Sequence, residues 1–127
     1  MRKQYILEYS INSSMNILFP RLSTPIGLVE WFADDVTLVD DVFTFRWATQ
    51  EQKAKVLGVK DMQSVRFQWI DPDLYEASEF FEFKVMKDDL THDVVLIVTD
   101  FTDEAGFDDL KELWDTQVNM LKRVIGA

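Results

Sequence analysis

The single histidine is the side chain of this sequence with the most obvious capacity for chemistry. His92 could serve as a general base or a metal ligand, but a base needs an orienting partner and a metal site usually recruits several imidazole or carboxylate ligands. It follows Leu90 and Thr91 beside a predicted turn, so we favour a solvent-exposed turn position over a catalytic one. The chain has no cysteine, which excludes thiol nucleophiles, disulfides and zinc–thiolate sites.

Paired carboxylates recur along the chain and could act as acid and base or hold a hard cation. Each pair falls at a predicted turn or helix start, where Asp is favoured because its side chain bonds to nearby backbone groups. The four glycines form neither a nucleophile elbow nor a phosphate-binding loop. We therefore predict no catalytic residue, no metal and no cofactor. The pairs are Asp34/Asp35, Asp40/Asp41, Asp71/Asp73, Asp88/Asp89 and Asp108/Asp109.

Aromatic rings are the side chains in surplus, with ten Phe, four Trp and three Tyr. Many alternate with polar residues, as in Phe67 and Trp69 beside Arg66 and Gln68. A period of two is typical of a strand with one buried face. Rings on such a face either fill a core or surround an apolar ligand.

The elements that carry these rings can be predicted from periodicity and capping. Residues 5–11 alternate as a strand, and Asn12-Ser13-Ser14 supplies a cap for a helix over 15–22 that Pro20 must shorten or kink. Thr24 and Pro25 then begin a second short helix over 26–32. Residues 36–102 alternate with period two between turn-like breaks, which predicts about six antiparallel strands.

The clearest element is a long C-terminal helix. Acidic residues crowd its predicted start and Lys122 and Arg123 its end, as the helix dipole favours, and Gly126 is a plausible C-cap. Apolar residues recur at steps of three and four, which places one face against the sheet. They are Leu110, Leu113, Trp114, Val118, Leu121 and Ile125.

These elements predict an α+β domain over the whole chain. With 127 residues, 47% hydrophobic and 28% charged, the composition is that of an ordinary globular domain. We see no internal repeat, linker or low-complexity segment, so residues 1–127 are interpreted as a single domain.

The order of strand, two short helices, strand meander and long helix is distinctive when taken with particular residues. Those residues are 11–14, Leu18, Phe19, 22–25, Leu28, Trp31, Phe32, 65–69, Trp114, Leu121 and Lys122. With them the chain resembles the START-like (SRPBCC) superfamily and its helix-grip fold. It is nearest to the branch of polyketide-cyclase-like proteins and homologues of the heat-shock-protein ATPase activator, and looks like a small bacterial group without an assigned reaction. Asp40 and Asp41 stand where that branch often has two glycines.

The resemblance implies a curved antiparallel sheet of six to seven strands wrapped around the last helix, with the inward rings between them. The interpretation as a ligand cavity competes with a core that the same rings fill completely. Indole N–H groups and Tyr9 would be the polar contacts for a ligand. The predicted cavity residues are Tyr9, Trp31, Trp47, Phe67, Trp69, Phe81, Phe83, Trp114 and Val118.

Three functions follow from this resemblance. The first is a non-catalytic domain that binds a small apolar or aromatic ligand. The second is a protein-interaction or chaperone-accessory domain with a filled core. The third, a cyclase- or hydrolase-like enzyme, is the least favoured because polar inward residues are scarce.

The outer face of the sheet suggests an interface. Ile6 on the first strand and Val94, Leu96 and Val98 on the last could form an apolar patch between two copies of the chain in a homodimer. The last strand is apolar on both faces, however. If its parity is the opposite one, Val95, Ile97 and Thr99 point outward and the patch turns inward.

The charge and the lack of long apolar runs exclude further classes. A formal net charge of −10 argues against nucleic acid and anionic membrane surfaces, which attract Lys and Arg. No apolar run approaches the roughly 18 residues of a membrane span, and the first residues do not form a signal-peptide core. These features favour a cytoplasmic protein without a membrane span.

Overall fold

The computed structural model describes residues 2–71 and 79–127. The described residues form one seven-stranded sheet, two short helices after the first strand and a long C-terminal helix. The elements are β1 (Arg2–Ile11), α1 (Met15–Ser23), α2 (Pro25–Leu28), β2 (Asp35–Val39), β3 (Val42–Trp47), β4 (Gln50–Lys60), β5 (Ser64–Trp69), β6 (Phe81–Lys87), β7 (Val94–Asp103) and α3 (Phe107–Ile125).

The sheet is antiparallel throughout, with strand order β1-β7-β6-β5-β4-β3-β2. Strands β2 to β7 follow one another as a meander, and β1 closes onto β7 through ten paired positions from Arg2↔Asp103 to Ile11↔Val94. The sheet curves around α3. This is the predicted α+β helix-grip fold, and the prediction is confirmed.

The β2–β3 hairpin turns at Asp40 and Asp41, as predicted. Both residues have positive φ, 49° and 66°, which is the requirement of a two-residue type I′ turn. Asp tolerates this left-handed region better than most residues because its short side chain can bond locally. The two aspartates thus occupy a turn that glycines would also suit.

The two short helices start at the predicted caps. The Ser14 hydroxyl accepts from the Ile17 amide at 3.2 Å, and the Thr24 hydroxyl accepts from the Gly27 amide at 3.0 Å. The prediction of a second helix over 26–32 is wrong in length, since α2 ends at Leu28. Beyond Leu28 the chain continues in turns, in which Val29 and Glu30 are exposed and Trp31 and Phe32 are buried in the core.

The predicted phase of α3 is confirmed at Trp114, Val118 and Leu121, which are buried against the concave face of the sheet. It is wrong at Leu113, which is 53% exposed. Gly126 ends the helix in the left-handed conformation, φ 73°, which a residue with a Cβ adopts at a cost. Capping and apolar periodicity therefore determine both the position and the rotation of this helix.

The predicted outer patch is wrong in three of its four residues. Ile6 is 57% exposed, but Val94, Leu96 and Val98 are buried in the core. The strand register gives the reason, because Leu96 lies opposite Tyr9, which faces inward, whereas Ile6 lies opposite Thr99. Strand β7 is apolar on both faces, so alternation did not determine which set points inward.

The surroundings of Ile6 on the outer face are mixed in character. Charged side chains lie between the apolar ones, and Arg66 pairs with Glu82 at 3.0 Å. The homodimer thus stays a prediction without the apolar patch that suggested it. Sedimentation velocity at micromolar concentration measures the oligomeric state directly. The neighbours of Ile6 are Gln4, Glu8, Arg66, Phe80, Glu82, Lys84, Met86, Ile97 and Thr99.

Candidate functional site

The centre of the domain is filled with aromatic rings. Phe67, Phe81 and Phe83 are buried, and the Phe67 and Phe81 rings stack at 4.7 Å between centroids. The Trp114 ring meets Phe83 edge-on at 5.6 Å, and Val118 is fully buried beside this cluster. The deep part of the predicted cavity is therefore core.

A cleft of about 430 Å³ lies beside this core, where α3 meets the sheet. Its volume is in the range of small-molecule sites. Of the nine predicted cavity residues, Trp47, Trp69 and Trp114 line it. The described residues that line it are Arg2, Phe32, Trp47, Gln50, Gln52, Trp69, Asp100, Phe101, Leu110, Leu113, Trp114 and Gln117.

The other six predicted cavity residues lie elsewhere. Four of them belong to the filled core, namely Phe67, Phe81, Phe83 and Val118. The other two, Tyr9 and Trp31, form hydrogen bonds within the protein. The Tyr9 hydroxyl donates to Asp115 Oδ1 at 2.8 Å, and the Trp31 indole donates to the Arg21 carbonyl at 2.7 Å.

The indole N–H groups of Trp31, Trp47 and Trp114 are not polar contacts for a ligand, contrary to our expectation. Trp47 Nε1 donates to the Phe32 carbonyl at 2.9 Å, and Trp114 Nε1 donates to Asp100 Oδ2 at 2.9 Å. A buried indole N–H needs a partner, and each of these has found one within the protein. The bonds fix the two rings as apolar walls of the cleft.

Asp100 is the carboxylate of the cleft. It lies on β7, its Oδ1 accepts from the Phe101 amide at 2.8 Å, and its Oδ2 accepts from Trp114. Burial disfavours its charged form and raises its pKa to about 6, although these two hydrogen bonds and the nearby Arg2 oppose the rise. A cleft carboxyl with a raised pKa is a common mark of a functional site.

An ion pair between Arg2 and Glu79 lies next to Asp100 at the cleft. Arg2 Nε donates to Glu79 Oε2 at 2.6 Å, and Arg2 Nη2 donates to the Phe101 carbonyl at 3.2 Å. Glu79 is only 5% exposed, and its Oε1 has no hydrogen-bond partner in the described part of the chain. The Arg2 guanidinium is thus already paired with a buried carboxylate, that of Glu79.

The raised pKa of Asp100 predicts a pH-dependent stability. The pKa of Asp100 is about 6 in the folded state and near 3.9 in the unfolded state, so the folded state binds the proton more tightly. The contribution of Asp100 to the free energy of unfolding is therefore lost as the pH rises through about 6. Between pH 5 and pH 7.5 the loss should be about 1.4 kcal/mol.

Urea unfolding of the wild type and of Asp100→Asn at both pH values checks this expectation. The amide does not titrate, so the variant should lack that part of the pH dependence. Asp108→Asn, an exposed position on α3, should behave like the wild type. Equal pH dependence in the wild type and in Asp100→Asn would contradict the assignment.

In the part of the chain that the structure describes, the histidine and the acidic residues do not assemble into a metal site. His92 is exposed in a turn with φ 62°, and Asp88 caps that turn by accepting from the amides of Leu90 and Thr91. Within residues 2–71 and 79–127, no three His, Asp or Glu side chains form a group that could hold a metal ion. Asp73 lies outside the described residues.

Sequence reasoning missed the polar half of the cleft. Arg2, Asp100 and the glutamines come together only because β1, β4, β7 and α3 meet there. Asp100 did carry a signal, since it is an acidic residue at the end of the apolar run Val94–Val98. A charge on a strand that is otherwise buried indicates either a partner or a function.

None of the helices in the described part of the chain is long and apolar enough to cross a membrane.

The chain belongs to the START-like superfamily, whose domain pattern matches residues 1–127. A Bacteroides fragilis protein solved by NMR is 42% identical, with a TM-score of 0.68 over 96% of this chain and 90% of that one. None of the curated proteins matches significantly.

More distant solved structures share the fold. The Aha1 dimer from Colwellia psychrerythraea is 17% identical, with a TM-score of 0.80 over 97% of this chain and 96% of that one. CalU16 from Micromonospora echinospora is 13% identical, with a TM-score of 0.73 over 98% of this chain and 76% of that one.

Proposed function

We propose that this START-like domain binds a small apolar or aromatic molecule in the cleft between α3 and the sheet. The observation that carries the proposal is the cleft itself, walled by three tryptophan rings and two leucines and holding one buried carboxyl group. Apolar walls with a few placed polar groups are the usual character of a small-molecule site.

The filled core limits the size of this ligand. Phe67, Phe81 and Phe83 occupy the space behind the cleft, so the ligand does not pass deep between helix and sheet. A molecule of one or two rings fits a cleft of about 430 Å³. A long acyl chain would have to extend along the surface.

Titration with 4-phenyl-1-butanol, a neutral aromatic probe, tests the proposal by two-dimensional NMR. The four indole N–H signals report on position, because Trp47, Trp69 and Trp114 line the cleft and Trp31 does not. We expect saturable shifts for the first three and the smallest shift for Trp31. Shifts without saturation, or equal for all four, would count against the cleft.

A pair of variants on one helix sharpens the test. Leu113 is half-exposed and forms the rim of the cleft, whereas Val124 is similarly exposed outside it. Leu113→Gln should weaken probe binding by about tenfold, since it removes apolar contact area without adding charge. Val124→Gln should leave binding unchanged. Equal affinity of both variants would place the probe elsewhere.

A further inference from the structure

Building on the proposed function, we propose that the cleft selects ligands with a cationic amine on an aromatic or apolar body. Asp100 would be the partner of the ammonium group, and the tryptophan rings would hold the body. This step names the chemical class of the ligand and assigns its recognition to one carboxylate.

The first support is that the Asp100 carboxylate has hydrogen-bond acceptor sites that the described part of the protein does not use. A carboxylate offers about four acceptor sites, and the protein fills two of them, through the Phe101 amide on Oδ1 and the Trp114 indole on Oδ2. The remaining sites can accept from an ammonium group. Both existing bonds also hold the carboxylate in one orientation, which reduces the entropic cost of binding.

The second support is the charge balance of the cleft. Among the described residues of its lining, Arg2 and Asp100 are the two that carry charge, and Arg2 is already bound to Glu79 at 2.6 Å and to the Phe101 carbonyl. Asp100 is left as the charge that a ligand can neutralise. The net charge of −10 also attracts cations and repels anions over longer distances.

The third support is the aromatic wall. Cations are attracted to the rings of tryptophan more strongly than to those of other residues, and more so where water is excluded. The N–H groups of Trp47 and Trp114 point to acceptors in the protein, so these indoles do not donate to an anionic ligand. The wall therefore favours an amine over a carboxylate.

The pH dependence follows from the groups that face Asp100. They are Arg2 on β1 and Glu79 before β6, and Arg2 in turn interacts with Asp103 on β7; the cleft residues of β3, β4, β5 and α3 do not titrate. An amine stays protonated between pH 7.5 and pH 5, while Asp100 takes up a proton near pH 6. Affinity for the amine should fall about tenfold over that interval.

Three probes with one body test the inference, namely 4-phenylbutylamine, 4-phenyl-1-butanol and 4-phenylbutyrate. At pH 7.5 and low salt we expect the amine to bind at least about tenfold more tightly than the alcohol, and the carboxylate to bind most weakly. Asp100→Asn should remove the preference, so that the amine and the alcohol bind this variant with equal affinity. Asp108→Asn makes the same change in net charge outside the cleft and should preserve the preference.

The outcomes separate this inference from the proposed function. Equal binding of amine and alcohol at the cleft, or tightest binding of the carboxylate, overturns the cation preference and leaves the ligand site in place. A preference that survives in Asp100→Asn overturns the role of Asp100. If none of the three probes gives saturable shifts of Trp47, Trp69 and Trp114, the proposed function itself fails.

Discussion

Leu96→Lys is expected to unfold the domain. Leu96 is 0% exposed and lies between Tyr9 on β1 and Val85 on β6, on the inner face of the sheet. A lysine there buries an ammonium group without a partner, at a cost of more than about 5 kcal/mol. That cost reaches the total stability of a typical domain, about 5–15 kcal/mol. Far-UV circular dichroism and NMR peak dispersion measure the result.

Ile97→Lys is the matched control, one residue further along the same strand. Ile97 is partly exposed on the outer face, opposite Glu8 and Lys84. The lysine stem can lie along that surface with its charge in water, so we expect a loss of no more than about 1 kcal/mol. A folded Leu96→Lys together with an unfolded Ile97→Lys would reverse the assigned parity of β7.

Trp114→Ala should cost about 3–5 kcal/mol in the free energy of unfolding. The ring is buried, stacks on Phe32 at 6.0 Å between centroids and meets Phe83 edge-on. Its removal leaves a large cavity and takes away the indole donor of Asp100. Urea unfolding monitored by circular dichroism gives the loss directly.

Leu113→Ala serves as the control for this substitution, because Leu113 is adjacent on α3 and half-exposed. We expect it to cost less than about 1 kcal/mol. Similar losses for the two variants would mean that α3 is rotated relative to the described packing. A midpoint of Trp114→Ala unchanged within error would mean the same.

The orientation of most strands could be predicted because one of their faces is polar. On β5 the polar Arg66 and Gln68 alternate with Val65 and Phe67, and the structure buries the second pair. The same holds for β6, where Phe81 and Phe83 are buried. In such strands a shift by one residue would place charges in the core, so local sequence determines the face.

Strand β7 is the exception, because neither of its faces is polar. Val94 to Val98 are apolar at every position, so both parities give an apolar inner face. The choice is made by the pairing with β1, in which Leu7 lies opposite Val98 and Tyr9 opposite Leu96. That register connects residues nearly ninety positions apart, and no local pattern contains it.

The helix-grip arrangement was implied by the resemblance to the START-like superfamily. The sequence by itself determined the order of strands and helices, the caps of the short helices and most of the buried face of α3. These depend on periodicity, turn chemistry and capping, which act over a few residues. Tertiary structure alone decided which aromatic rings fill the core and which three tryptophans line a cleft beside Arg2 and Asp100. The physical reason is that the sequence pattern is the same for a ring that fills the core and for one that lines a cleft. The space left between the rings depends instead on how β1, β4, β7 and α3, which are distant in sequence, pack together.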